Sequence, residues 1–281
     1  MSKEIYLCAI SNISSGSCLE DCGFCTQSTK HHADIQRYRY KEISEIVKEA
    51  KIAQENGAVG FCLVTSGKGL DDKKLDFVCK TSEAIKKEVQ KLHLIACNGL
   101  ADFKQLQTLK SAGIDLYNHN LESSENFYKT LCTTHSWEQR YQTCLNIKEA
   151  GLKLVCGGIF GLGESEEDRA SLIQSIKSLE PFSVPLNFFH PNPALPIKKS
   201  PMPETEALQI IRYARKNLSN SRIMVAGGRE ITFKTDPSQI FVAGANSIVI
   251  GNYLTTKGDK PNKDIEMIKN AGYSIASYCD E

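Results

Sequence analysis

The chain has 281 residues, with 34 Lys plus Arg against 33 Asp plus Glu, long enough for one α/β barrel and close to electroneutral. That balance supplies no field to hold nucleic acid or an anionic membrane surface, so the expected partner is a small molecule. No run approaches the roughly 18 apolar residues of a membrane span, and MSKEIYLCAI lacks a basic leader and cleavage site, so the expected location is cytoplasmic. Eleven cysteines, an odd number, in a chain without an export signal point to metal or cluster ligation rather than disulfides.

Short β-branched or apolar runs alternate with stretches of helical period, the pattern of repeated strand-helix units. Eight strands are expected near residues 4–10, 59–64, 92–97, 114–119, 152–159, 183–189, 221–226 and 246–250. Between them, helix 42–56 repeats Ile43, Ile46, Val47, Ala50 and Ala53 on one face, and helix 165–179 opens on a Ser165–Asp168 capping pair. Asn56-Gly57, Ala112-Gly113, Ala150-Gly151 and Ala271-Gly272 place glycine where a helix ends in a left-handed residue, and three of the four lead into a strand. This order predicts a single-domain (β/α)8 barrel over residues 1–281, with chemistry at the C-terminal ends of the strands. An open doubly wound sheet is the second choice. The proline-rich stretch from Pro191 to Pro203 reads as a loop over the barrel mouth.

After the first strand comes GSCLEDCGFCTQS, in a loop at 16–28, where Cys18, Cys22 and Cys25 have the spacing C-x3-C-x2-C. Three thiolates on one loop can hold three corners of a four-iron cluster and leave the fourth iron open for a ligand. The competing readings are a structural zinc site completed by His31 or His32, and unrelated buried cysteines.

With Phe24 before its last cysteine, this motif resembles the signature of the radical S-adenosylmethionine (SAM) superfamily. The match widens to the biotin synthase family through GFC (60–62), YNHNLE (117–122), TTHSWEQR (133–140), GGIFGLGE (157–164), SVPLNFF (183–189), AGGRE (226–230) and AGANSIVIG (243–251), in order. The resemblance implies sulfur insertion into dethiobiotin. A 4Fe-4S cluster on the triad would cleave SAM, an auxiliary 2Fe-2S or variant cluster would donate sulfur, and the electron donor would be a flavodoxin or ferredoxin. It also implies a homodimer.

By the same resemblance Asn120 and Glu122 would bond the SAM ribose, Arg140 its carboxylate, and Asn118 and Asn187 the ureido ring of dethiobiotin. Without it, Arg140 reads as a solvated helix residue.

Cys62 matches the first of the family's auxiliary ligands. The second and third cysteines are expected at Ile95 and Val155 and the arginine at Met224, where this chain has Cys97, Cys156 and Arg222 nearby. A shift of two keeps a side chain on its strand face, whereas a shift of one reverses it. Either local bulges bring Cys97, Cys156 and Arg222 to the site, or the cluster differs in composition and ligands. Cys8, Cys79, Cys132, Cys144 and Cys279 read as small buried residues, with Cys132, on a loop beside TTHSWEQR, the first from which that reading would be withdrawn.

The rivals are a maturase-type or methylornithine-forming radical SAM barrel without sulfur insertion, and a non-catalytic zinc- or cluster-binding protein. The first strand starts almost at once, so a role for an N-terminal extension is expected to be missing or met differently.

Overall fold

A computed structural model describes residues 3–279. All eight expected strands form, as β1 (Glu4–Asn12), β2 (Gly60–Val64), β3 (His93–Cys97), β4 (Leu116–Asn118), β5 (Lys153–Val155) continued by β6 (Gly158–Phe160), β7 (Ser183–Phe188), β8 (Arg222–Val225) and β9 (Ser247–Ile250). Every pairing is parallel, and β9 returns to β1, which closes the barrel. The open-sheet alternative is thereby excluded.

The expected fifth strand, 152–159, is interrupted at Cys156 and Gly157, yet β5 and β6 pair β7 in one unbroken register, Val155 with Ser183 and Gly158 with Leu186. The interruption has a steric reason. A Cβ on Gly157 would stand 1.8 Å from the Pro185 carbonyl oxygen, so only glycine lets the two backbones approach this closely.

The helices follow their sequence signals. Helix α1 (Ile43–Glu55) buries Ile46, Val47, Ala50 and Ala53, while α6 (Glu166–Leu179) starts on a Ser165–Asp168 capping box. The four glycines at helix ends all have positive φ. Each of the four leads into a strand, the last into the two-residue β10 (Ser274–Ile275), which lies beside β1. Strand alternation sorts the apolar residues into two layers. Leu7, Phe61, Leu94, Leu154, Ile223 and Ile248 pack outward under the helices. Cys8, Cys62, Ile95, Val155, Met224 and Val249 fill the barrel interior.

Candidate functional site

The cysteine loop leaves the C-terminal end of β1 and is tied at both ends. Gln27 Oε1 accepts from the Gly16 N–H at 2.6 Å and from Ser15 Oγ at 3.2 Å, and Thr29 N–H donates to the Cys18 carbonyl at 2.8 Å. The Gln27-Ser28 that follows the triad thus folds back to hold its start. Loop 132–135 grips the middle: Asp21 Oδ1 accepts from Thr133 N–H at 2.9 Å and Thr134 Oγ1 at 3.0 Å, and Gly23 N–H donates to the Leu131 carbonyl at 2.8 Å. The proline-rich loop lies over this segment, with Pro196 and Ile197 against Gly23.

Cys18 and Cys22 are buried and Cys25 is partly exposed. Burial pushes the Cys25 thiol up to about 11, against an opposing pull from the Gln27 and Ser28 backbone N–H groups. Burial also raises Cys18, opposed by the backbone N–H groups of Glu20 and Gly67. Contact with Cys132, then burial, raises Cys22. Amide groups aimed at sulfur are what a thiolate bound to iron needs, so the donor set fits a cluster.

Further polar groups at this mouth come from the end of β4 and from α5 (Trp137–Glu149). Arg140 Nε donates to the Asn120 carbonyl at 2.7 Å, and its Nη2 stands 3.2 Å from Glu122 Oε1. The two side chains are only 12 % and 13 % exposed, so Arg140 is not the solvated helix residue that periodicity alone suggests. Burial pushes the Glu122 carboxyl up while the Arg140 charge holds it down. Glu122 adopts a positive φ of 68°, and its Oε2 is buried without a hydrogen-bond partner. Asn118 Oδ1 is likewise buried and unpartnered, whereas Asn120 Oδ1 accepts from Gly157 N–H at 3.0 Å. Buried acceptors left open are costly unless a ligand satisfies them. On β7, Asn187 Oδ1 accepts from Gly227 N–H at 3.0 Å and Nδ2 donates to the Gly158 carbonyl at 3.2 Å, leaving one hydrogen and one lone pair for a ligand.

Two residues that sequence reasoning passed over join these groups. Cys132 Sγ is 3.6 Å from Cys22 Sγ. His135 Nδ1 lies 2.7 Å from Glu20 Oε2 and 3.3 Å from Cys132 Sγ, while its Nε2 meets Tyr128 Oη at 2.7 Å and Arg140 Nη1 at 3.1 Å. Their signal was weak: Cys132 stood out only as a cysteine beside TTHSWEQR.

The four auxiliary candidates do not gather. Cys62 and Cys97 both face the barrel interior. Cys156 faces outward, 3.8 Å from Cys144 Sγ of α5. Arg222 lies at the opposite end of the barrel, its guanidinium 3.6 Å above the Tyr6 ring and bonded to Cys279 Sγ.

Two sequence families match the chain, the Radical SAM superfamily over residues 12–176 and the Biotin and Thiamin Synthesis associated domain over 185–274. The chain is 60 % identical to the biotin synthase of Nitratiruptor sp. over 278 residues, covering 99 % of this chain and 100 % of that one. It is 57 % identical to the biotin synthase of Aliarcobacter butzleri, covering 99 % of each. Among solved structures, the FeFe-hydrogenase maturase HydG from Carboxydothermus hydrogenoformans superposes with a TM-score of 0.83 at 19 % identity, covering 99 % of this chain and 68 % of that one. Methylornithine synthase gives 0.81 at 19 % identity, covering 98 % and 84 %. Those two likenesses speak to the fold alone.

Proposed function

The chain belongs to the biotin synthase family of radical SAM enzymes, and on that premise we propose how its own residues divide the conversion of dethiobiotin to biotin. The cofactors of the family are a 4Fe-4S cluster, SAM and an auxiliary iron-sulfur cluster. When bound, they supply an electron that splits the SAM sulfonium to a 5′-deoxyadenosyl radical, and sulfur for the substrate carbon that this radical activates.

Cys18, Cys22 and Cys25 hold the 4Fe-4S cluster, and their loop presents backbone N–H groups to the sulfurs. Glu122 accepts a ribose hydroxyl of SAM on its open Oε2, with Asn120 beside it. Arg140 keeps Glu122 ionised and offers positive charge to the SAM carboxylate. Asn118 turns its free Oδ1 to an N–H of the ureido ring, and Asn187, braced by Gly158 and Gly227, adds its remaining donor and acceptor. The barrel wall and the loop from Pro191 to Pro203 exclude water from the reacting carbon.

One observation carries this assignment: Cys22 Sγ lies 3.6 Å from Cys132 Sγ, Cys132 Sγ lies 3.3 Å from His135 Nδ1, and His135 Nε2 lies 3.1 Å from the Arg140 that pairs with Glu122, so triad and ion pair share a single barrel mouth. Residues 1–281 are read as one radical SAM barrel domain, because the two matching segments each cover part of the same closed set of strands. A flavodoxin- or ferredoxin-type donor, a homodimer and a cytoplasmic location complete the proposal. No helix among the described residues is long and apolar enough to cross a membrane. The maturase and mutase alternatives rest on structural likeness at 19 % identity and are disfavoured beside relatives at 57–60 %.

Protein reconstituted anaerobically with iron and sulfide, reduced, and given SAM and dethiobiotin should form 5′-deoxyadenosine and biotin together, and Cys22→Ala should form neither. Deoxyadenosine without biotin would move the substrate elsewhere. Neither product from a fully loaded protein would overturn the assignment.

A further inference from the structure

The barrel interior contains three cysteines, and they are not the set that the sequence suggests. Strand alternation turns Cys8 of β1, Cys62 of β2 and Cys97 of β3 into the same interior apolar group. The three strands are neighbours, so the thiols line one wall. Pairing aligns Ile10 with Cys62 and Val64 with Cys97, which sets each cysteine two residues further along its strand than the pairing partner of the one before. In an eight-stranded barrel the strand tilt absorbs about one residue of that step per strand, so the three sulfurs climb the wall in a shallow spiral.

The same tilt puts Cys8 in one layer with Ile95, Val155 and Met224, the inward residues of β3, β5 and β8. Three of that layer's four places are therefore filled by side chains that cannot act as thiolate or guanidinium ligands, and the fourth is a cysteine.

We propose that the auxiliary iron-sulfur cluster of this chain is held by the thiolates of Cys8, Cys62 and Cys97, with Cys156 and Arg222 outside its ligand set. This rests on the assignment of an auxiliary cluster to the family. Gly60 leaves the Cys8 sulfur uncrowded, since a Cβ there would stand only 3.3 Å from Cys8 Sγ and 3.3 Å from Ile95 Cδ1. Below Cys8, toward the end of the barrel where Arg222 stacks on Tyr6, a separate cavity of about 40 Å³ is lined by Cys8, Ile95, Arg222, Met224 and Cys279 and is reached by neither Cys62 nor Cys97. The thiols of Cys62 and Cys97 are within hydrogen-bonding contact, and Cys8 is close enough for its charge to act on Cys62. Neighbouring thiols of this kind become ligands when a cation replaces their protons. Cys156 has no route inward, because its sulfur is fully buried between the strand and Cys144 on the far side of the sheet.

The test uses the full chain with Cys18, Cys22 and Cys25 all changed to Ala, so that iron per chain and the Mössbauer spectrum report the interior alone. Into it go Cys8→Ser, Cys62→Ser, Cys97→Ser and Cys156→Ser, one at a time. The expected result is loss of most of the interior iron, or a spectrum shifted toward oxygen ligation, for the first three, and unchanged iron for Cys156→Ser. The same four changes in a chain with its triad intact, where triad iron and SAM binding persist, show that the barrel still folds. Retention of the native spectrum in Cys8→Ser, or loss of iron in Cys156→Ser, would overturn the ligand set. A triad-free chain that takes up no iron would overturn the auxiliary-cluster assignment itself, an outcome distinct from both.

Discussion

Cys132 Sγ lies 3.6 Å from Cys22 Sγ and 3.3 Å from His135 Nδ1, so three potential ligand atoms from two loops meet beside the triad. In the proposed site the triad loop alone supplies the three thiolates, and Cys132 holds loop 132–135 against it together with Asp21 and the His135–Glu20 pair. Cys132→Ala should therefore keep the full triad iron content, whereas Cys22→Ala should lose it. Iron analysis of the two variants side by side decides the matter, and depletion in Cys132→Ala would make Cys132 a ligand.

Arg140 and Glu122 form a nearly buried ion pair, and removing one member of such a pair leaves an uncompensated charge costing about 3 kcal/mol or more. Arg140→Met should lower stability by that order in urea unfolding and weaken SAM binding in an equilibrium titration. Glu122→Gln keeps the shape but leaves the Arg140 charge uncompensated, so stability should fall by a similar order and SAM affinity with it. Equal affinity in all three proteins would remove the pair from the SAM site.

Glu164 closes the glycine-rich loop after β6: its carboxylate accepts from the N–H groups of Gly161, Leu162 and Gly163 at 2.8–3.0 Å and from Arg169 Nε at 2.7 Å, with 2 % side-chain exposure. Glu164→Ala strands these donors and should cost about 3 kcal/mol. Urea midpoints at constant m-value measure this, and a loss under about 1 kcal/mol would show that water replaces the carboxylate.

The Asp168 carboxyl is held below the ordinary carboxylate range by the Ser124 hydroxyl, and by the Ser165 N–H and hydroxyl against slight burial. A folded pKa below the unfolded one contributes stability above the unfolded value of about 3.9 and loses it as pH falls through the folded value. Wild type should thus exceed Asp168→Asn in urea midpoint at pH 7, and the gap should narrow by pH 3. A gap independent of pH would place the effect in geometry rather than charge.

The strand-helix order was legible in the sequence because period-2 and period-3.6 patterns report burial directly, and all eight barrel strands fall where those patterns predict. The break at Gly157 was not, since it depends on Pro185 of the next strand approaching from across the sheet. Nor was β10, whose two residues are too few to carry a pattern.

Within the site, the triad could be read from spacing, while the burial of Arg140 required the fold to bring α5 over Asn120 and Glu122. The interior cysteines divide in the same way. Proximity in sequence to an expected position favoured Cys156, but a shift of one residue turned its side chain outward, while Cys8, read as a small buried residue, faces in from a strand that no family pattern pointed to.

The most direct test of the account is a single turnover of protein whose clusters were reconstituted with 34S-sulfide, given SAM and dethiobiotin without added sulfide, with the product analysed by mass spectrometry. The account predicts biotin carrying 34S, formed alongside 5′-deoxyadenosine. Deoxyadenosine with no labelled biotin, from protein whose iron content shows both clusters in place, would contradict it.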